Sequence, residues 1–193
     1  MNHKNIALTY APGMAGNHVA NLICLNEDFA QREDQQYEGS WHTHPMDPNN
    51  NLRNLTLFPN KRNVVLGHVD EMWHAGWDFQ ATDTQLVNVE HDGDEFFEQR
   101  TQAMFRAYDP ESYARTFMHI SHRKFYFYYH SDVIQKLLDA PSVLTLSTSQ
   151  ISKFESLYEF ITDTLSVDIP LQPARDMHAK WRDNNLKWMQ AGE

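Results

Sequence analysis

Three consecutive stretches decide how this chain is read: Asn5-Ile6-Ala7-Leu8-Thr9-Tyr10, then Ala11-Pro12-Gly13-Met14-Ala15-Gly16-Asn17, then His18-Val19-Ala20-Asn21-Leu22-Ile23-Cys24-Leu25. The first is a mostly apolar run of strand length, and the second is dense in residues that break regular structure. In the third the period changes. Val19, Ala20, Leu22, Ile23 and Leu25 fall at helical spacing, and Asn17 is an acceptable N-cap before them. The unit over residues 5–25 is therefore strand, glycine turn, helix.

Working outward, the same alternation returns. Asn63–His68, Gln85–Glu90 and Ser142–Leu146 have the low charge and apolar content of buried strands. His91-Asp92-Gly93-Asp94 is turn chemistry, and Glu95–Tyr108 carries Phe96, Phe97, Ala103, Met104 and Phe105 in an amphipathic pattern, giving a second strand–turn–helix unit. A long helix is expected from about Ser149 through Phe154, Leu157, Phe160, Ile161 and Leu165, ended by Pro170, and a last helix over Ala174–Met189. Residues 27–62 read as a polar excursion with a short helix near Asn26–Arg32. Ser112–Phe117 reads as a helical turn and Val133–Leu138 as a short helix capped by Ser131-Asp132, while periodicity leaves Lys124–Tyr129 open between strand and buried helix. Strands alternating with helices predict a three-layer α/β/α fold around a central, mostly parallel sheet of four or five strands, with ligands at the carboxyl ends of the strands.

Composition bounds the rest. A chain of 193 residues suits one domain spanning 1–193. The single cysteine, Cys24, excludes an internal disulfide and fits a reducing, cytoplasmic setting. No apolar run approaches the ~18 residues of a membrane span, and the start does not resemble a secretory leader. A formal charge of −10 argues against a nucleic-acid footprint. Any phosphate site must be local.

The first turn is the most informative place for one. Amides in a glycine turn that opens a helix converge on one spot, and the helix end adds partial positive charge, so a phosphate or sulfate can bind without a charged side chain. The candidate contacts are Gly13, Met14, Ala15, Gly16, Asn17 and His18, with the two glycines permitting close backbone approach. The pattern is neither G-x-x-x-x-G-K-[ST] nor G-x-G-x-x-G, and an ordinary tight βα connection has the same composition.

Thr9–His18 nonetheless resembles the phosphosulfate-binding loop of the sulfotransferase family, whose fold is of the P-loop kind, with Gly16 at the family's glycine. Val64–His68 is similar to the family's second strand, Val87–Asp94 to the strand and turn leading to its 3′-phosphate site, and Val143–Leu146 with Phe154–Ile169 to its last strand and helix. The resemblance implies 3′-phosphoadenosine 5′-phosphosulfate (PAPS) as donor and a hydroxyl or amine of a small-molecule or carbohydrate acceptor. His68, after a buried strand, would be the base that removes the acceptor proton. The sequence departs from the family where a loop lysine is expected, at Gly13 or Met14, and where an arginine and a serine are expected, at His91 and Gln99. Arg100 and Lys61-Arg62 are candidate substitutes for the phosphate contacts, although solvated surface is the plainer role for each. The alternative is a non-catalytic binding module on the same fold, and a phosphotransferase is the weaker third reading. A homo-oligomer is compatible with either of the first two.

His42, His44, His68, His74, His91, His119, His122 and His130 lack the compact spacings of a zinc site, so no metal is expected. On the last helix, His178, Trp181, Asn185 and Trp188 share a face. Such a stripe is core if covered and a partner-docking face if exposed.

Overall fold

The computed structural model describes residues 5–10, 15–30, 61–67, 84–108 and 142–191. Their strands are β1 (Asn5–Tyr10), β2 (Phe29–Ala30), β3 (Arg62–Gly67), β4 (Thr84–Glu90) and β5 (Leu144–Ser147). They form one sheet in the order β2-β3-β1-β4-β5, parallel at every pairing. The helices are α1 (Gly16–Ile23), α2 (Glu95–Tyr108), α3 (Thr148–Ile151), α4 (Phe154–Glu159), a π-helical turn (Phe160–Thr164) and α5 (Leu171–Ala191).

Register shows why the strands are so apolar. Leu8 of β1 lies between Leu66 of β3 and Val87 of β4, and Val87 in turn pairs with Leu144 of β5. Every residue of β1 is buried, so both of its faces are closed from solvent, as a central parallel strand requires. On the face of Ile6, Leu8 and Tyr10 the core continues into Val19, Ala20, Leu22 and Ile23 of α1. The other face is more polar, carrying Asn5, Thr9 and, beside it, Asn88. α1, α2 and α4 all pack against α5.

The expected mixed α/β fold with a parallel sheet is present, and several boundaries move. No helix forms at Asn26: the Asn26 carboxamide accepts the Asp28 amide at 2.9 Å and donates to the Asp168 carbonyl at 2.7 Å, turning the chain into β2 instead. The expected long helix is broken. Ser147 and Gln150 form a capping box that starts α3 one residue beyond β5, and the backbone leaves helical geometry at Lys153 before α4 begins. Past Glu159 the ladder widens to a π turn that ends in the Leu165 amide donating to the Phe160 carbonyl at 3.0 Å, with Ser166 at φ 54. Pro170 opens the next helix rather than closing this one, because its carbonyl accepts the Ala174 amide at 3.1 Å. Pro173 is tolerated in the first turn of α5, where its missing N–H would have had no helical partner.

The α5 stripe is core over His178, Trp181 and Asn185, and Trp188 at its end is half-buried. His178, Trp181 and Asn185 are buried, and the Trp181 indole meets the rings of Phe96 at 5.5 Å, Phe97 at 6.1 Å and His18 at 4.2 Å. Arg100 is not a solvated surface residue either. It is only 1 % exposed, and its Nε donates to Asn185 Oδ1 at 2.6 Å. No helix among the described residues is long and apolar enough to cross a membrane.

Candidate anion-binding corner

From β1 the chain proceeds through α1 to β2 and β3 on one side, whereas β4 leads through α2 to β5 on the other. The strand order therefore reverses between β1 and β4, and in open α/β sheets the crevice outside the carboxyl ends of such a pair is where ligands sit. Two strand–turn–helix corners frame it.

At the first corner Ala15 adopts the left-handed conformation at φ 58 and is the N-cap of α1, with no side-chain cap hydrogen bond. Gly16 is a glycine for a reason internal to the protein. The Tyr10 ring lies flush against it, so a Cβ there would overlap the ring, and the Tyr10 hydroxyl donates to Asn17 Oδ1 at 3.4 Å. The His18 side chain packs against α5. Its Nε2 is 3.0 Å from His178 Nδ1 and its ring stacks on Trp181. Burial, with help from His178 and Arg100, holds the His18 imidazole well below its ordinary basicity. Of the candidate contacts, Ala15, Gly16, Asn17 and His18 thus sit at the start of α1, where their contribution to an anion would come from the backbone. Gly13, Met14 and the candidate base His68 lie outside the described residues.

At the second corner the two aspartates are used up by neighbours. Asp92 accepts the Thr148 hydroxyl at 2.8 Å, the Ser149 amide at 3.0 Å and the Ser149 hydroxyl. Burial works against its charge, but these bonds, together with Ser147, outweigh it and hold the carboxyl down at about 2. Asp94 caps α2 through Oδ1, which accepts the Phe97 amide at 3.1 Å, while its Oδ2 accepts the Ser152 hydroxyl at 2.8 Å. Gly93 stands between them at φ 87, the position where a glycine is needed. His91 Nδ1 accepts the Gly93 amide at 3.1 Å, which leaves its proton on Nε2, a buried atom that makes no hydrogen bond. Gln99 is exposed and bonded to Glu95. Arg62 spreads over the Phe29 ring at 4.1 Å, and Lys61 donates to the Glu27 carbonyl, so neither is directed to this edge by its described contacts.

The sequence gives no warning of two of these features. Asp92 and Asp94 read only as turn residues, and their ties to Thr148, Ser149 and Ser152 become visible when β5 is placed beside β4. Among the described residues, no three histidine, cysteine, aspartate or glutamate side chains gather as a metal site would need. No protein-family model matches this chain, and no curated protein or solved structure matches it either.

Proposed function

We propose that this protein is a sulfotransferase-like domain of the P-loop kind that binds the phosphosulfate end of PAPS against the N-terminus of α1 and transfers the sulfuryl group to a hydroxyl or amine of a small-molecule or carbohydrate acceptor. The observation that carries the reading is the place where α1 starts: its N-cap is Ala15, whose side chain cannot cap it, and it opens at the carboxyl end of β1 where the strand order reverses. In the transfer, the backbone N–H groups at the start of α1 hold the charge that develops on the sulfuryl oxygens. His68, immediately after β3, takes the acceptor proton. The bond from sulfur to the bridging oxygen of the donor breaks as the bond to the acceptor oxygen or nitrogen forms, and the bisphosphate leaves.

Titration of the full chain with PAPS and with its 3′,5′-bisphosphate product, read by calorimetry and by thermal shift, tests this. Saturation at a hundredfold excess over Kd should stabilise the fold by about 2.7 kcal/mol. A midpoint indifferent to both nucleotides overturns the reading.

One observation favours a second reading. Gly16 is explained by the Tyr10 ring alone, and the Asn17 and His18 side chains are committed to the interior, so this corner is also what a βα connection serving only the fold would look like. On that reading the domain is a non-catalytic binding module. Its signature is absence of a nucleotide response in a chain that is otherwise fully folded.

A further inference from the structure

On the sheet face opposite α1, the carboxyl ends of three adjacent strands bring four residues together. Side chains alternate along a strand, so Thr9 of β1 points away from the face of Ile6, Leu8 and Tyr10 that α1 covers. Register sets Gly67 of β3 on one side of Thr9 and Asn88 of β4 on the other. Glu90, two residues beyond Asn88, lies on the same face and nearer the strand ends.

Thr9 is 0 % exposed, yet its Oγ1 makes no hydrogen bond. A buried hydroxyl without a partner costs about 1–3 kcal/mol, and a valine would fill the same space without that cost. Gly67 brings no side chain to the β3 flank of Thr9, and a glycine within a strand often marks where a ligand comes close to the backbone. Asn88 is buried and donates from Nδ2 to Glu90 Oε1 at 2.9 Å, so an interior amide holds an exposed carboxylate in place. Glu90 Oε2 has neither a hydrogen bond nor an ion pair with a described residue.

Charge selects what can bind here. Glu90, Asp92, Asp94 and Glu95 follow closely in sequence, and none is ion-paired to a described residue. A carboxylate without a cation and a hydroxyl without a partner complement an ammonium group and a hydroxyl, and the same carboxylate repels an anion. Neighbouring strands lie about 4.8 Å apart and two residues along a strand cover about 6.6 Å, which puts the Cα atoms of Thr9 and Glu90 about 8 Å from each other. A molecule only a few bonds long closes that span between the two side chains.

We propose that this face binds a small amine that also carries a hydroxyl, an amino alcohol or amino sugar, with its ammonium on Glu90 Oε2 and its hydroxyl on Thr9 Oγ1 beside Gly67. The site lies across β1 from α1 and does not depend on what binds there.

Glucosamine is the probe, followed in amide spectra of the full chain recorded without nucleotide, so that the outcome is separate from that of the proposed transfer. Glucosamine should shift the amides of Thr9, Gly67, Asn88 and Glu90 saturably, and N-acetylglucosamine, which lacks the charge, should bind at least about tenfold more weakly. Glu90→Gln keeps the bond from Asn88 but removes the charge, and should weaken glucosamine by about the same factor. Thr9→Val should weaken it about threefold or more while leaving the urea midpoint unchanged or raised. Absence of a saturable shift at the four amides, equal binding of the two sugars, or unaltered affinity in Glu90→Gln overturns the site. A lower urea midpoint in Thr9→Val does so too, because the hydroxyl then serves the fold. Should a variant not fold, the two sugars on the unaltered protein decide the matter.

Discussion

The two corners that frame the reversal between β1 and β4 have the same topology and opposite chemistry. The β4–α2 corner is closed by its own side chains: Asp94 caps the helix, Gly93 takes the positive φ, and Asp92 ties the turn to Thr148 and Ser149 beyond β5. The β1–α1 corner has an alanine where the other has a glycine, no side-chain cap, and a helix held from behind by aromatic and imidazole contacts rather than by bonds at its tip. A helix start that satisfies its own amides has no use for a ligand, whereas one that does not can hold an anion. That contrast favours α1 over α2 for the proposed anion site.

The corners should come apart in acid. His178 is held uncharged in the fold, so its contribution is fully present above its ordinary value near 6.5 and is lost as pH falls toward about 4, a loss of about 3 kcal/mol in unfolding free energy. Asp92 is held charged, so its contribution is present above 3.8 and is lost only as pH falls toward about 2. Because that side chain is exposed and screened, its loss should be well under about 1 kcal/mol. Urea unfolding measured across the acid range should accordingly show the steeper decline above about pH 4, and a decline confined to lower pH would reverse the comparison.

Gly16→Ala sets a methyl into the body of the Tyr10 ring and should destabilise by about 2 kcal/mol, seen as a lower urea midpoint with an unchanged slope. Gly93→Ala tests the other glycine by a different mechanism. Nothing crowds that position, so the cost comes from φ 87 alone and should be about 1 kcal/mol. Equal costs at the two glycines would mean that the Tyr10 ring relaxes away from Gly16. Asp94→Ala should cost about 1 kcal/mol by removing the cap of α2, and should fray the first turn of that helix in hydrogen exchange. The smallest effect is expected at Ser147→Ala, a few tenths to about 1 kcal/mol, because α3 is a single turn whose loss leaves β5 and α4 in place.

Much of this architecture was legible in the chain before folding. β1, β3 and β4 are apolar runs of strand length, and their identity follows from needing cover on two faces. The start of α1 could be read from the switch of period after the glycine turn, and Asp92-Gly93-Asp94 announced a turn. Ala15 to His18 lie at a helix N-terminus, but the helix starts earlier than the periodicity indicates: Ala15 is the N-cap, and Asn17, the expected cap, is already inside α1. Pro170 opens α5 instead of ending the helix before it: proline suits the start of a helix as well as its end, and only the Ala174 bond to its carbonyl tells the two apart.

What the sequence determined by itself was local: which segments extend, which coil, and where glycine or aspartate turns the chain, since those choices depend on neighbours a few residues away. Only the tertiary structure decided that β1 sits between β3 and β4, that Arg100 is buried against Asn185, and that His18 meets His178. Those outcomes join residues far apart in the chain, 85 positions for Arg100 and Asn185 and 160 for His18 and His178, and no periodicity along the chain carries them. They arise because the same apolar faces can be covered in several ways, and the arrangement that also satisfies the buried polar groups prevails.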